Sequence, residues 1–223
     1  MEITGKTALV TGANRGIGQA FARALADHGA AKVYAAVRDP ASVQDPDVVP
    51  VRLDVTDPGQ VAEAAKLAGD VAILINVAGL PGYGTKLLDG DFAEAREAME
   101  VNYFGTWSVS RAFAPVLARN GGGALVNMLS VASWVGRPQY PAYAGSKAAQ
   151  WSLTNSLREG LRDQGTLVVG VHAGFVDTDF SRRFDVPKIS AQDVAEQTMR
   201  AIVEEKTEVL ADEPARRTKA SLV

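Results

Sequence analysis

Cysteine is absent from this chain of 223 residues, and histidine occurs only twice. Without cysteine there are no disulfides, no thiolate metal ligands and no cysteine nucleophile. His28 and His172 each lack a second ligand at metal-binding spacing, so we predict structural roles for both and no metal site. Any chemistry must therefore come from other side chains.

Long apolar runs are also missing. The apolar stretches are too short to span a bilayer, and residues 1–6 are too polar for a secretory signal. We therefore expect no membrane partner and a cytoplasmic location.

An excess of positive charge is missing as well. The formal net charge is -3, whereas proteins that bind nucleic acid usually present a basic surface, so we expect no nucleic-acid partner. With 223 residues and 47% hydrophobic content, the chain is long enough to bury one sizeable core. This favours a single domain over residues 1–223.

Short runs rich in Val, Leu and Ile alternate with segments of helical periodicity. The runs predict strands at residues 7–11, 32–37, 48–53, 71–75, 124–129, 167–172 and 207–211. This alternation is typical of repeated βαβ units with a parallel sheet. We therefore predict an α/β fold, a doubly wound parallel sheet (Rossmann fold) of about seven strands with helices on both faces.

Local signals mark the ends of several helices. An apolar stripe predicts a helix over residues 17–28, which Gly29 ends. Asp57 followed by Pro58 reads as the N-cap and first residue of a second helix. Ser190 begins a capping-box pattern that predicts the start of a third.

The segment TGANRGIG, residues 11–18, lies between the first predicted strand and the first predicted helix. There Gly12 permits a tight turn, Gly16 lets the backbone approach a pyrophosphate, and Gly18 allows close packing of helix on sheet. The helix N-terminus then faces the phosphate charge. This context predicts a dinucleotide site rather than a turn without a ligand, and no Lys-Ser/Thr pair follows that would indicate a P-loop.

Tyr143 and Lys147 are four residues apart, which places them about 40° apart on one helix face. A nearby ammonium favours the phenolate and lowers the pKa of a tyrosine from its usual value near 10. Tyr140 shares that face, but Pro141 favours a helix that begins after it, so we assign Tyr140 to the substrate pocket. Ser130 ends the fifth predicted strand, at the edge where open α/β sheets bind their ligands.

Together these motifs resemble the short-chain dehydrogenase/reductase family in its compact, one-domain form. The resemblance covers nearly the whole chain: residues 11–18 match the pattern TGxxxGxG, residues 76–79 (NVAG) are similar to the family's NNAG segment, and residues 173–178 (AGFVDT) to its PGxVxT segment. The family's catalytic tetrad then corresponds to Asn102, Ser130, Tyr143 and Lys147.

The resemblance implies hydride transfer between a nicotinamide and a small alcohol/carbonyl pair. Tyr143 would exchange a proton with the substrate oxygen, which Ser130 would orient. Lys147 would also bond the nicotinamide ribose, and Asn102 would hold a water that links the lysine to solvent. The cofactor-binding residues that it implies are Gly12, Asn14, Arg15, Gly16, Ile17, Gly18, Arg38, Asp54, Val55, Asn76, Ala78, Gly79, Tyr143, Lys147, Gly174, Val176 and Thr178.

The end of the second predicted strand bears on the choice of cofactor, because a carboxylate there accepts from the ribose of NAD and a cation meets the 2′-phosphate of NADP. Val37 stands where NAD-type relatives would carry Asp, while Arg38 and Arg15 offer two cations. NADP(H) is therefore the preferred cofactor. NAD(H) is the alternative if both arginines are merely solvated and Asp39 reaches the ribose.

Several apolar residues lie close in sequence to the tetrad and to the nicotinamide segments. They predict a small-molecule substrate that is an apolar or aromatic carbonyl compound or its alcohol. The segment 179–189 is short for a lid, which suggests an open site. The candidate substrate-lining residues are Leu80, Trp134, Tyr140, Phe175 and Phe180.

Residues 212–223 have helical character. The corresponding region often makes subunit contacts in the resembled family, so a homodimer or homotetramer is possible. Two other functions stay open: a non-catalytic NADP(H)-binding sensor or scaffold, and an epimerase or dehydratase. A sensor would not need Ser130, Tyr143 and Lys147, and relatives of the second kind usually need a larger C-terminal substrate domain.

Overall fold

The computed structural model describes residues 1–89 and 91–222 of the chain. Its strands are β1 (Thr7–Thr11), β2 (Lys32–Val37), β3 (Val49–Arg52), β4 (Val71–Asn76), β5 (Ala124–Met128), β6 (Leu167–His172) and β7 (Glu208–Leu210). Its α-helices are α1 (Gly16–Asp27), α2 (Pro58–Leu67), α3 (Ala93–Met99), α4 (Thr106–Arg119), α5 (Pro141–Gly160), α6 (Ala191–Val203) and α7 (Glu213–Ala220). Each predicted strand is present, with ends that differ by at most one residue.

The strands form one parallel sheet in the order β3-β2-β1-β4-β5-β6-β7. The chain first adds strands to one side of β1 and then returns to add the others beyond β4. This reversal leaves a crevice at the carboxyl ends of β1 and β4, where open α/β sheets bind their ligands. The predicted doubly wound parallel fold is confirmed.

Helices cover both faces of the sheet because side chains alternate in direction along each strand. In β1, Ala8 and Val10 join the core beneath α1 and α6, whereas Leu9 joins the core beneath α2 and α4. A sheet buried on both faces has near-continuous apolar strands, which is why the sequence pattern located them so closely.

The predicted helix signals act as N-caps and helix starts. The Asp57 carboxylate accepts hydrogen bonds from the Gly59 and Gln60 N–H groups, and Pro58 opens α2. The Ser190 hydroxyl accepts from the Asp193 N–H at the start of α6. α1 ends at Asp27, just before the predicted stop.

A π-helical turn, Glu100–Gly105, joins α3 to α4. No local pattern in the sequence predicts it. A Cβ atom at Gly105 would lie 2.6 Å from Val55 Cγ2, so glycine allows the turn to pack against the loop after β3. The turn also buries Asn102 completely. Single π turns inside α-helices often mark functional sites.

No helix in the described part of the chain is long and apolar enough to cross a membrane.

Replacing Ser190 with alanine removes the hydroxyl that caps α6. We expect the free energy of unfolding, measured by urea denaturation, to fall by about 1 kcal/mol. Ser156→Ala is the matched control, because Ser156 is exposed within α5 and its hydroxyl only donates back to the Ser152 carbonyl. That change should stay within about 0.5 kcal/mol. Equal losses in the two variants would contradict the capping role.

Candidate active site

A cavity of about 1050 Å³ opens at the carboxyl edge of the sheet, where the strand order reverses. Most of the residues predicted from the sequence line it. These are Gly12, Asn14, Arg15, Gly16, Ile17, Gly18, Arg38, Asp54, Val55, Ala78, Gly79, Leu80, Ser130, Tyr140, Tyr143, Lys147, Gly174, Phe175, Val176, Thr178 and Phe180.

The glycine turn forms one wall of the cavity. Gly12 and Gly16 have φ angles of 68° and 55°, a region that favours glycine. A Cβ at Gly18 would lie 2.2 Å from the Gly12 carbonyl oxygen, so only glycine lets α1 begin this close to the turn. No side chain in the described part of the chain caps the N-terminus of α1, whose first N–H groups are thus available to an anion in the cavity.

Thr11 secures the glycine turn to the neighbouring loop, a role that was not predicted from the sequence. Its hydroxyl oxygen accepts hydrogen bonds from the Val77 N–H (2.9 Å) and the Ala78 N–H (3.1 Å). One side chain at the end of β1 therefore holds the loop that follows β4. A polar residue at the end of an otherwise apolar strand is the signal that could have identified it.

Two cations line the part of the cavity beyond β2. Arg15 and Arg38 are both exposed, and neither guanidinium forms an ion pair or hydrogen bond within residues 1–89 and 91–222. Asp39, the rival ribose acceptor, uses one carboxylate oxygen to accept from the Ala41 N–H (3.1 Å) and so caps the short turn Pro40–Ser42. The two arginines are thus free for an anionic ligand, and Asp39 is partly engaged.

Tyr143 and Lys147 lie one turn apart on α5, and Tyr143 forms a hydrogen bond with Ser130, two residues beyond the end of β5. The Lys147 Nζ lies 5.8 Å from the centroid of the Tyr143 ring. The Lys147 side chain is buried, and its Nζ donates to the Met128 carbonyl (2.8 Å) and to Gln150 Oε1 (2.7 Å). The three predicted groups therefore meet at one end of the cavity.

Burial dominates the protonation of this pair. It raises the pKa of Tyr143 above its ordinary value of 10, although a hydrogen bond with Ser130 acts in the opposite direction. It lowers the pKa of Lys147 to about 7. The expectation that the Lys147 ammonium lowers the pKa of Tyr143 is therefore wrong, because removal from water has the largest effect and raises that pKa. Tyr143 is a protonated phenol at neutral pH.

Asn102 lies outside the cavity lining, in the π-helical turn. Its Nδ2 donates to the Leu80 carbonyl (2.9 Å) and to Ser146 Oγ (2.8 Å), and its Oδ1 accepts from the Leu80 N–H (2.7 Å). The side chain thus holds the loop after β4 against α5. These contacts are all with protein groups, and the predicted role of Asn102 in holding a water stays a prediction.

Asn76, predicted to bind the cofactor, does not line the cavity. It is buried at the end of β4, where its amide donates to Asn127 Oδ1 (2.9 Å) and Ser110 Oγ (3.1 Å). The structure places this side chain in a polar contact between β4, β5 and α4 instead of at the site.

Trp134, predicted to line the substrate pocket, also lies outside the main cavity. Its ring stacks on His172 with centroids 3.8 Å apart, and Lys219 Nζ lies 5.2 Å from its centroid. This stack holds the indole beside a second cavity of about 490 Å³. Burial lowers the pKa of His172 to about 4, so this histidine is a neutral packing partner at neutral pH.

Aromatic rings form the wall of the cavity beside Tyr143. The Tyr83 ring packs edge-on against Phe180 and Phe184, at centroid distances of 6.0 and 5.8 Å, and its hydroxyl donates to the Phe180 carbonyl. The Arg183 guanidinium lies 3.5 Å from the Tyr83 centroid. Tyr83 and Phe184 were missed because they lie in separate loops and only the tertiary structure brings them together.

The loop after β6 is connected to the last helix. The Gly174 N–H donates to Asp212 Oδ2 (2.8 Å), and Asp212 Oδ1 accepts from the Ala215 N–H (2.9 Å) as the N-cap of α7. The same carboxylate therefore starts α7 and fixes a backbone segment that lines the cavity.

Comparisons with known proteins agree with this arrangement. A model of the short chain dehydrogenase family matches residues 6–187. An uncharacterized oxidoreductase of Staphylococcus aureus (strain USA300) is 32% identical over 218 residues, which cover 92% of this chain and 94% of that protein.

Two solved structures are similar over the full length of this chain. A short chain dehydrogenase from Burkholderia cenocepacia J2315 in complex with NADP has 40% identity and a TM-score of 0.95, with 94% of that chain covered. A short chain dehydrogenase/reductase from Burkholderia phymatum in complex with NAD has 29% identity and a TM-score of 0.88, also with 94% covered.

Asn102→Asp tests the buried amide clamp. The carboxylate cannot donate to the Leu80 carbonyl, so we expect the free energy of unfolding at pH 7 to fall by about 3–5 kcal/mol. Burial would raise the pKa of the new carboxyl in the folded state, so the loss should shrink as the pH falls towards 5. Urea denaturation at both pH values measures this.

Asn120→Asp is the control for this change. The Asn120 amide also donates to two carbonyls, those of Gly69 and Val71, but the residue is only half-buried. We expect a loss of about 1–2 kcal/mol with little pH dependence. A loss at Asn102 no larger than this one would show that its contacts do not clamp the loop.

Proposed function

The chain belongs to the short-chain dehydrogenase family, and we propose that it is an NADP(H)-dependent oxidoreductase that interconverts a small apolar or aromatic carbonyl compound and its alcohol. The observation that carries this proposal is the convergence on one cavity of a glycine turn, two arginines with no partner among the described residues, and the Ser130–Tyr143–Lys147 group. A cofactor site and a proton donor are thus contiguous.

The residues present fit a phosphorylated dinucleotide. The close approach at Gly18 and the uncapped N-terminus of α1 suit the pyrophosphate. Arg15 and Arg38 suit a 2′-phosphate, since guanidinium groups bind phosphate in a bidentate manner. The NADP and NAD complexes of the two Burkholderia relatives support NADP(H) as the preferred cofactor and NAD(H) as the alternative. The bound nicotinamide supplies or accepts the hydride.

The protein's own part in the reaction is to orient the substrate and move a proton. Tyr143, held as a phenol by burial, donates its proton to the carbonyl oxygen during reduction and recovers it during oxidation. The Ser130 hydroxyl orients that oxygen. Lys147, held by Met128 and Gln150, has a third N–H for the ribose and, as an ammonium, stabilises the phenolate that forms.

Asn102 also acts in this proposal through its neighbours, besides its predicted role in holding a water. Its bonds to Leu80 keep the loop after β4 in place, and its bond to Ser146 keeps that loop against α5. The helix that carries Tyr143 and the wall of the cavity thus keep a constant separation.

The aromatic wall supports the substrate class. Tyr140, Phe175 and Phe180, predicted from the sequence, line the cavity together with Tyr83 and Phe184. An apolar or aromatic carbonyl compound would gain contact area from these rings. The segment that contains Phe180 and Phe184 packs on Tyr83.

Three further expectations belong to the same proposal. Residues 1–223 act as one domain, an idea supported by the single sheet to which every described strand belongs. The protein works in the cytoplasm. It acts as a homodimer or homotetramer.

Tyr143→Phe removes the proton donor and keeps the ring. We expect kcat for NADPH-dependent reduction of an aldehyde and ketone panel to fall about 100- to 10,000-fold. NADPH binding, followed by fluorescence, should be largely kept. Tyr34→Phe is the control, because the Tyr34 hydroxyl bonds Asp70 and does not line the cavity. A wild-type protein that binds NADPH but reduces no carbonyl and oxidises no alcohol would favour the sensor or scaffold instead.

Arg38→Met tests the choice of cofactor. We expect the KM for NADPH to rise about 10- to 100-fold, as the loss of a charge-assisted bond to phosphate implies, with the KM for NADH little changed. Arg119→Met, at the exposed end of α4, controls for the loss of a positive charge. If wild type prefers NADH, the assignment of the arginines is wrong while the oxidoreductase proposal survives.

A further inference from the structure

A series of buried hydrogen bonds runs from Lys147 to the π-helical turn. The Lys147 Nζ donates to Gln150 Oε1 (2.7 Å), Gln150 Nε2 donates to Thr106 Oγ1 (2.9 Å), and the Thr106 hydroxyl donates to the Asn102 carbonyl (2.9 Å). Lys147, Gln150, Thr106 and Asn102 are each at most 4% exposed. No water is needed to complete the series.

The direction of each bond determines how the Gln150 amide lies. The Asn102 carbonyl accepts only, so the Thr106 hydroxyl donates to it and presents a lone pair to Gln150. The NH₂ group of Gln150 therefore faces Thr106, and its carbonyl oxygen faces Lys147. If the Gln150 amide were flipped, its N–H groups would face the Lys147 ammonium. Its oxygen would then face the Thr106 hydroxyl oxygen, which can only accept there.

Burying the polar side chain of Gln150 is energetically unfavourable. It lies on the buried face of α5, where an apolar side chain would need no partners. Both ends of its amide are satisfied, one by the lysine and the other by Thr106. Its main function in the fold is thus to present an acceptor to a buried cation, because a buried ammonium without acceptors is strongly unfavourable.

We propose that Gln150 is a positioning residue that holds the Lys147 ammonium in its charged form and directs its remaining N–H into the cavity. The Met128 carbonyl and Gln150 take two of the three donors of Lys147. The third is left for the cofactor ribose, and this last point rests on the proposed function. Thr106 acts indirectly, by keeping the Gln150 amide oriented with its oxygen towards Lys147.

The surroundings of Lys147 contain little charge to compete with this effect. The titratable groups that face it are Tyr143 on its own helix and His172 on β6, and His172 is neutral at neutral pH because burial lowers its pKa to about 4. The acidic residues of α3 and the π-helical turn are exposed to solvent: Glu94, Glu97 and Glu100. Burial lowers the pKa of Lys147. An acceptor that takes a hydrogen bond from the ammonium favours the charged form.

The direct test is the titration of Lys147 itself, followed through the ¹³Cε signal of ¹³C-labelled lysine in the full-length protein. Lys147→Arg identifies the signal by its disappearance. Gln150→Met keeps the approximate volume and removes the acceptor, so we expect the pKa of Lys147 to fall by about one to two units. Gln150→Glu places an anion beside the lysine and should raise that pKa.

A second pair of variants acts on the orientation of the amide without touching the lysine. Thr106→Val removes the lone pair that Gln150 needs, so the pKa of Lys147 should fall by less than in Gln150→Met, whereas Thr106→Ser should titrate like wild type. If Gln150→Met does not fold, the titration of Lys147 in Thr106→Val and Thr106→Ser tests the proposal instead. Thr198→Val deletes another fully buried hydroxyl, on α6, and should leave the titration unchanged.

The pH dependence of turnover gives a separate readout. If the ammonium form of Lys147 is the active one, Gln150→Met moves the alkaline limit of kcat to lower pH by the same one to two units. The NMR titration answers the question even if no carbonyl is reduced, so failure of the proposed function is distinguishable from failure of this proposal. Variants of Gln150 and Thr106 that lose stability while Lys147 titrates as in wild type would overturn it.

Discussion

A lysine buried beside a tyrosine is the constraint that organises the carboxyl end of this sheet. Taking the Lys147 ammonium out of water is unfavourable unless acceptors meet it, and they come from the end of β5 and from the next turn of α5. The helix must therefore lie where Lys147 reaches the end of β5. The same burial keeps Tyr143 a phenol, so the packing that positions the pair also sets its protonation.

The sheet provides the other half of the site by its topology alone. Because the strand order reverses at β1 and β4, the loops that follow them separate and leave room for a ligand. The Thr11 hydroxyl prevents them from separating further by holding two N–H groups of the opposite loop. The width of the crevice is thus controlled by Thr11 at the reversal point. Its chemistry comes from other residues, those near the end of β5 and on α5.

The sequence predicts well those features that a local pattern encodes. The strands are buried on both faces and read as apolar runs, Ser190 and Asp57 precede helices in the usual capping order, and the glycine turn has its strand and helix beside it. Features that depend on contacts between distant segments were missed. The π-helical turn depends on Gly105 packing against Val55, and Tyr83 meets Phe184 only in the folded chain.

Two site assignments, those of Trp134 and Asn76, were wrong because residues close in sequence to the site are not always close to it in space. The predicted direction of the Tyr143 pKa shift was wrong because it left out the effect of burial. The stack on His172 holds Trp134 away from the main cavity, and the Asn76 amide nitrogen donates to Ser110 and Asn127 inside the fold. The bond from Gly174 to Asp212 has a practical consequence of a different kind. Shortening the chain ahead of residue 212 would leave a backbone donor in the cavity wall without its acceptor, so the shape of the cavity depends on the start of the last helix.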